Sequence, residues 1–168
     1  MTAAFSTERL LAEPLGLAHA EELAVLHADP RVMATMGGET ATAAESLAWI
    51  ERNLRHGEEP GLGIFVFRER GSGGFVGRGA LRRIVIGGAE EIEVGFALVP
   101  ERWGEGLATE MALALAAHAE DAGFEGLVAY TEPTNDASRR VLEKAGFHYE
   151  RDVEHHGRPQ MLYRRSAR

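Results

Sequence analysis

The chain has 168 residues, enough for one domain with a sizeable core, and its 45% apolar and 26% charged residues are ordinary for a soluble globular protein. It contains no cysteine, which excludes disulfides, thiolate nucleophiles and cysteine zinc sites. Its net charge of −8, from 18 Lys+Arg against 26 Asp+Glu, argues against a nucleic-acid surface; it suits a cationic substrate such as an amine, or solubility alone. No apolar run approaches the ~20 residues of a membrane span. Glu8, Arg9 and Glu13 interrupt the start of the chain, so no signal peptide is read and a cytoplasmic protein is expected.

In chain order, Thr7 to Glu13 reads as a first strand closed by Pro14. Leu15 to His27 reads as a helix with Leu15, Leu23 and Leu26 inward, broken at Asp29-Pro30. Thr42 and Glu45 form a capping-box signature for a second helix carrying Leu47, Ile50 and Leu54. Three antiparallel strands follow, Ile64–Glu69, Phe75–Val85 and the central strand over 91–99, with turns at 71–74 and Gly87-Gly88.

Pro100 ends the central strand, because proline has no N–H for a ladder. A short turn, Trp103-Gly-Glu-Gly-Leu-Ala108, leads into helical spacing at Leu107, Met111, Ala114, Leu115, His118 and Ala122, up to Gly123. The N–H groups of a first helical turn have no internal partner, and the helix dipole adds positive character there. Gly104 and Gly106 remove side chains from that backbone, so the turn is either a phosphate cradle or a plain helix start. It is not a Walker loop, which requires a lysine. It is not the dinucleotide fingerprint either, since the sixth position counted from Gly104 is Thr109.

The crossover helix implies that the strand at Gly126–Thr131 lies parallel to the central one. Asn135 then reads as the N-cap of a helix over 136–145 closed by Gly146. Phe147–Val153 and Pro159–Arg164 close the sheet, joined near His156-Gly157, and Arg164 to Arg168 reads as a solvated basic tail. The sum is a single α/β domain over 1–168, with a mixed central sheet of about seven strands flanked by about four helices.

The pattern Arg/Gln-x-x-Gly-x-Gly/Ala after a strand, matched by Gly106 and Ala108, resembles the coenzyme A pyrophosphate loop of the GNAT superfamily of N-acetyltransferases. Trp103 replaces the usual Gln or Arg, as in the branch that acetylates ribosomal-protein N-termini (RimJ/RimL-like). A second family pattern stands intact as Asn135, Ser138, Lys144, Gly146 and Phe147. The resemblance implies acetyl transfer from acetyl-CoA to a primary amine, on a protein N-terminus or a small molecule. It implies no metal and the possibility of a homodimer.

The implied cofactor contacts are the amides of Gly104, Glu105, Gly106, Leu107, Ala108 and Thr109 for the pyrophosphate. The backbone of Phe96, Ala97 and Leu98 would pair with the pantetheine arm, and Asn135 would also contact the cofactor. Glu93 is the candidate base, with Glu91 second. Ser138 is the candidate acid toward the leaving thiolate, with Tyr130 and Tyr149 as alternatives. His155-His156 reads as loop histidines that point apart rather than as a metal site, and His118 as a packed edge residue. The other function class open to this sequence is a CoA-holding sensor without turnover.

Overall fold

The computed structural model describes residues 2–166. Eight strands form one sheet in the order β1-β2-β3-β4-β5-β6-β8-β7. They are β1 Phe5–Ser6, β2 Leu10–Pro14, β3 Gly63–Glu69, β4 Phe75–Ile86, β5 Ala89–Leu98, β6 Leu127–Thr131, β7 His148–His155 and β8 Arg158–Arg165. Five helices flank them: α1 Ala20–Ala28, α2 Pro30–Met33, α3 Ala43–Asn53, α4 Leu107–Asp121 and α5 Asp136–Lys144. The expected seven strands and four helices are each exceeded by one short element. The two-residue β1 pairs Phe5 with Ala12. The one-turn α2 uses the very residues read as a break. Asp29 caps it by accepting from the Arg31 N–H at 2.9 Å, and Pro30 occupies its first turn, where a missing N–H costs nothing.

The first helix is shorter than expected: Leu17–His19 forms a 3₁₀ turn, and the α-helix proper begins at Ala20. The capping box of α3 forms as read, with Thr42 and Glu45 each accepting the other's N–H. The basic tail does not float free. Arg164 and Arg165 lie in β8, and buried Arg165 pairs with Glu120 at 3.0 Å; residues 167–168 lie outside the described residues.

The sheet has two apolar faces. On one, Phe65, Phe67, Leu81, Val94 and Phe147 pack with Met111 and Leu115 of α4 and Leu142 of α5. On the other, Val66 and Ala97 pack with Leu23 and Leu26 of α1 and Ile50 of α3. His118 belongs to the scaffold: it stacks on Phe5 at 4.4 Å and meets Phe65 edge-on, with its Nε2 buried and unpartnered. The outer strand β7 carries mostly exposed charged residues, a composition that discourages strand addition at that edge. No helix among the described residues is long and apolar enough to cross a membrane.

Candidate active site

The central strand pairs unequally with its two neighbours. β4 and β5 match without interruption from Gly77 opposite Leu98 to Ile86 opposite Ala89. β5 and β6 run parallel as expected, but their register holds at one position, Glu93 opposite Val128. Beyond it the strands part. Val99 donates its N–H to Val76 O at 3.0 Å. The alternation of an antiparallel ladder therefore turns the N–H and C=O of Gly95 and Ala97 toward β4, and those of Val94, Phe96 and Leu98 toward the opening.

Ala97 is thus corrected as a backbone partner for a ligand: its peptide groups serve the β4 ladder, opposite Arg78. Phe96 keeps both groups at the opening. Leu98 keeps only its N–H, because its carbonyl accepts from the Trp103 indole Nε1 at 3.0 Å.

At the end of β5 the turn enters α4 through Gly106, its N-cap, at φ 78° and ψ 5°; Gly104 has φ 79°. Both are left-handed conformations that glycine adopts freely. A side chain at Gly104 would meet nothing within 4 Å, and one at Gly106 only the Arg9 guanidinium at 3.6 Å. The backbone N–H groups of residues 104–109 donate no hydrogen bond among the described residues. The turn is therefore an open row of unsatisfied donors. Its flanks are fixed. Arg9 donates to Glu110 Oε2 at 2.6 Å and to Glu105 O at 2.9 Å, and Glu105 pairs with Arg102 at 2.8 Å. Leu107 buries its side chain in the core and leaves its N–H at the turn.

Across the opening, α5 begins as read. Asn135 Oδ1 accepts from the Ser138 N–H at 3.1 Å, which caps the helix and leaves the Asn135 amide nitrogen without a partner among the described residues. The Ser138 hydroxyl has no hydrogen-bond partner among the described residues, so it is not spent on a helix carbonyl. One cleft of about 910 Å³ is lined by Glu93, Phe96, Gly104, Gly106, Asn135 and Ser138, together with parts of the segments 29–42 and 153–160.

The two candidate bases separate clearly, although they share a face. Glu91 is bound bidentately by Arg164, at 2.6 and 3.1 Å, and does not line the cleft. Glu93 is buried at 6% exposure. Arg82 Nε donates to its Oε2 at 2.5 Å, while its Oε1 lies over Gly95, 3.3 Å from where a side chain there would begin. Tyr130 lines the same cleft, its hydroxyl pushed up to about 12 by burial and by the Glu93 carboxylate. Tyr149 sits 50% exposed on β7, bonded to Asp152 and away from the cleft, which removes it as an acid.

His155 and His156 do not point apart. His156 leaves the strand at φ 51°, and the two rings lie 4.1 Å apart at the cleft rim, with His155 edge-on to Tyr130. No group of three or more potential metal-ligating side chains occurs among the described residues.

Sequence reading missed the floor of the cleft on the α1–α3 side. Arg78, His27 and Trp49 come from β4, α1 and α3. Arg78 Nε donates to His27 Nε2 at 3.2 Å, and its guanidinium stacks 4.5 Å from the Trp49 ring centre. Since arginine only donates, His27 Nε2 accepts, so Nδ1 carries the proton and donates to Ser46 Oγ at 2.8 Å. Burial and the Arg78 charge push His27 down to about 4. A Trp at 49 was the one local signal, but nothing in its neighbourhood marks it as a stacking partner.

The curated protein YkkB of Bacillus subtilis is 27% identical over 144 residues, covering 85% of this chain and 83% of its own. An acetyltransferase from Agrobacterium tumefaciens superposes with a TM-score of 0.83 at 25% identity, covering 96% of this chain and 93% of its own. RimL, a ribosomal alpha-N-protein acetyltransferase solved in complex with coenzyme A, shares the fold with a TM-score of 0.81 at 16% identity and 98% coverage of both chains. The family described as the Acetyltransferase (GNAT) domain matches residues 9–148, and the chain belongs to that family.

Proposed function

We propose that the protein transfers the acetyl group of acetyl-CoA to a primary amine in the cytoplasm, the acceptor being a protein N-terminus, as in the RimJ/RimL-like branch, or a small molecule. One observation carries the reading: the row of free N–H groups at residues 104–109 stands beside a strand edge where β5 and β6 part. The residues fit the cosubstrate. The amides and the positive end of α4 suit a pyrophosphate. The Phe96 peptide groups and the Leu98 N–H suit a chain of amides lying along β5, and the free Asn135 amide faces the same opening.

When bound, acetyl-CoA supplies the thioester: the neutral amine forms the new N–C bond, the C–S bond breaks with its electron pair going to sulfur, and the amine proton ends on the thiol. In this reading Glu93 takes that proton. Arg82 anchors Oε2, and the Tyr130 hydroxyl stands close enough to the carboxylate to be raised by it. Ser138 offers a free hydroxyl to the departing sulfur. Tyr130 stays protonated at neutral pH and is the alternative donor. The Phe96 N–H, at the opening of the strands, is the candidate donor to the thioester oxygen.

The short Glu93–Arg82 pair also favours a second reading, a CoA-holding regulatory module in which the candidate base is engaged by an arginine. Calorimetry with CoA, followed by thiol release from acetyl-CoA over a panel of primary amines, separates the two. Binding with turnover on at least one amine is expected. Binding with no turnover on any amine replaces the enzyme by the regulatory module, and absence of CoA binding overturns both.

A further inference from the structure

Arg78 is 7% exposed, yet none of the ion pairs among the described residues includes it. Of the other arginines lining the cleft, Arg82 pairs with Glu93, Arg102 with Glu69 and Glu105, and Arg158 with Glu132, while Arg52 and Arg140 are exposed to solvent. Among the described residues only Nε of Arg78 has a hydrogen-bond partner, His27. The sole side-chain atom both fully enclosed and unpartnered among the described residues is His118 Nε2, so the Nη groups of Arg78 open onto the cleft they line. A buried guanidinium without a counterion costs stability, and an apolar side chain over Trp49 would pack at less expense. Instead, Ser46 and His27 hold its Nε edge and Trp49 supports its face, which leaves the two-pronged Nη edge presented.

We infer that the acceptor amine carries a carboxylate, which seats on the Nη edge of Arg78. The inference rests on the acetyl-transfer reading and names its substrate class. The carboxylate does not belong to the cofactor's place. Arg78 projects from β4 toward α1 and α3, whereas the opening lies on the other side of β5, between β5 and β6. One buried positive charge outside any ion pair matches one carboxylate; a phosphate dianion would leave a net negative charge buried in its place. Burial and Arg82 push Arg78 down to about 10, which keeps it charged at neutral pH. The cleft lining as a whole carries more arginine and lysine than glutamate, the reverse of the whole chain. Arg78 stands opposite Ala97, and the strands part near Val94, so the two ends of the acceptor sit at backbone positions roughly 10 Å apart at about 3.4 Å per residue.

The probe is a set of ω-amino carboxylates of increasing length, each paired with its neutral carboxamide, titrated by calorimetry into the CoA-bound protein. The best acid should bind roughly 10- to 100-fold more tightly than its amide, the range expected of a charged hydrogen-bonded pair. Arg78→Met should erase that preference while CoA affinity, measured separately, stays unchanged and confirms the fold. Arg78→Lys keeps the charge without the fork and should retain a reduced preference. Equal affinity for acid and amide in the wild type, preservation of the preference in Arg78→Met, or a stronger preference for a phosphorylated amine overturns the inference. Failure of acetyl transfer itself is read differently, as absent thiol release with the acid-over-amide preference intact.

Discussion

Replacing Gly106 by valine tests whether the turn before α4 is a phosphate cradle. The substitution has two separable costs. For the fold, the new side chain meets only the Arg9 guanidinium at 3.6 Å, an ordinary contact, so the penalty is that of holding a β-branched residue at φ 78°. That is about 1–3 kcal/mol, against a domain stability of roughly 5–15 kcal/mol, and the protein should stay folded. For the ligand, an isopropyl group stands over the free N–H groups of residues 104–109. Losing two charge-assisted hydrogen bonds at roughly 1.5–3 kcal/mol each lowers CoA affinity by about 10²- to 10⁴-fold. Calorimetry with CoA reads the affinity, and urea unfolding reads the fold. Gly123→Val is the matched control. Gly123 has φ 92° and open space around it at the far end of the same helix, so it should show a comparable stability loss with unchanged CoA affinity. A folded Gly106→Val protein whose CoA affinity stays within threefold of wild type would refute the cradle.

Two further outcomes are expected. Ser138→Ala should lower kcat by roughly 10²-fold with CoA affinity nearly unchanged, since its hydroxyl supports no structural hydrogen bond; wild-type kcat at saturating substrates would pass the acid role to Tyr130. Stability should fall as pH drops from 6.5 to 4 through His27, whose folded pKa of about 4 lies below its ordinary value of 6.5, so the unfolded chain binds the proton first and stability is fully present only above that range. The shift corresponds to roughly 3 kcal/mol. His56, His118 and His155 are lowered too, mainly by burial, so the comparison is with His27→Gln. Urea midpoints that fall equally steeply in both proteins would exclude His27 as the source.

How much was legible depended on how local each determinant is. The Asn135 cap, the Thr42–Glu45 box and the strand–turn–helix over 91–110 are written within a few residues, and the chain folds as those residues read. Asp29-Pro30 was legible as a stop but is equally a start, because an N-cap and a first-turn proline use the same two residues. The facing of Ala97 needed the phase of the ladder, which one inter-strand bond settles and no strand sequence contains. The approach of His155 to His156 turns on a single left-handed residue that is not glycine. The Arg78–His27–Trp49 floor was out of reach, since its members come from three separate elements and meet only when α1 and α3 close on β4.

That difference tracks the two halves of the cleft. The side proposed for the cofactor is made largely of backbone: free N–H groups, a strand edge and a helix cap. Backbone sites are specified by glycine, proline and capping residues at short spacing, so a sequence displays them. The side proposed for the acceptor is made of side chains, Arg78, Trp49, Arg82 and Glu93, whose neighbours lie on other elements. Substitutions there leave the ladders and caps intact. A change at Arg78 or Trp49 should therefore redirect the acceptor while CoA binding persists, and a change at Gly106 should remove CoA whatever the acceptor.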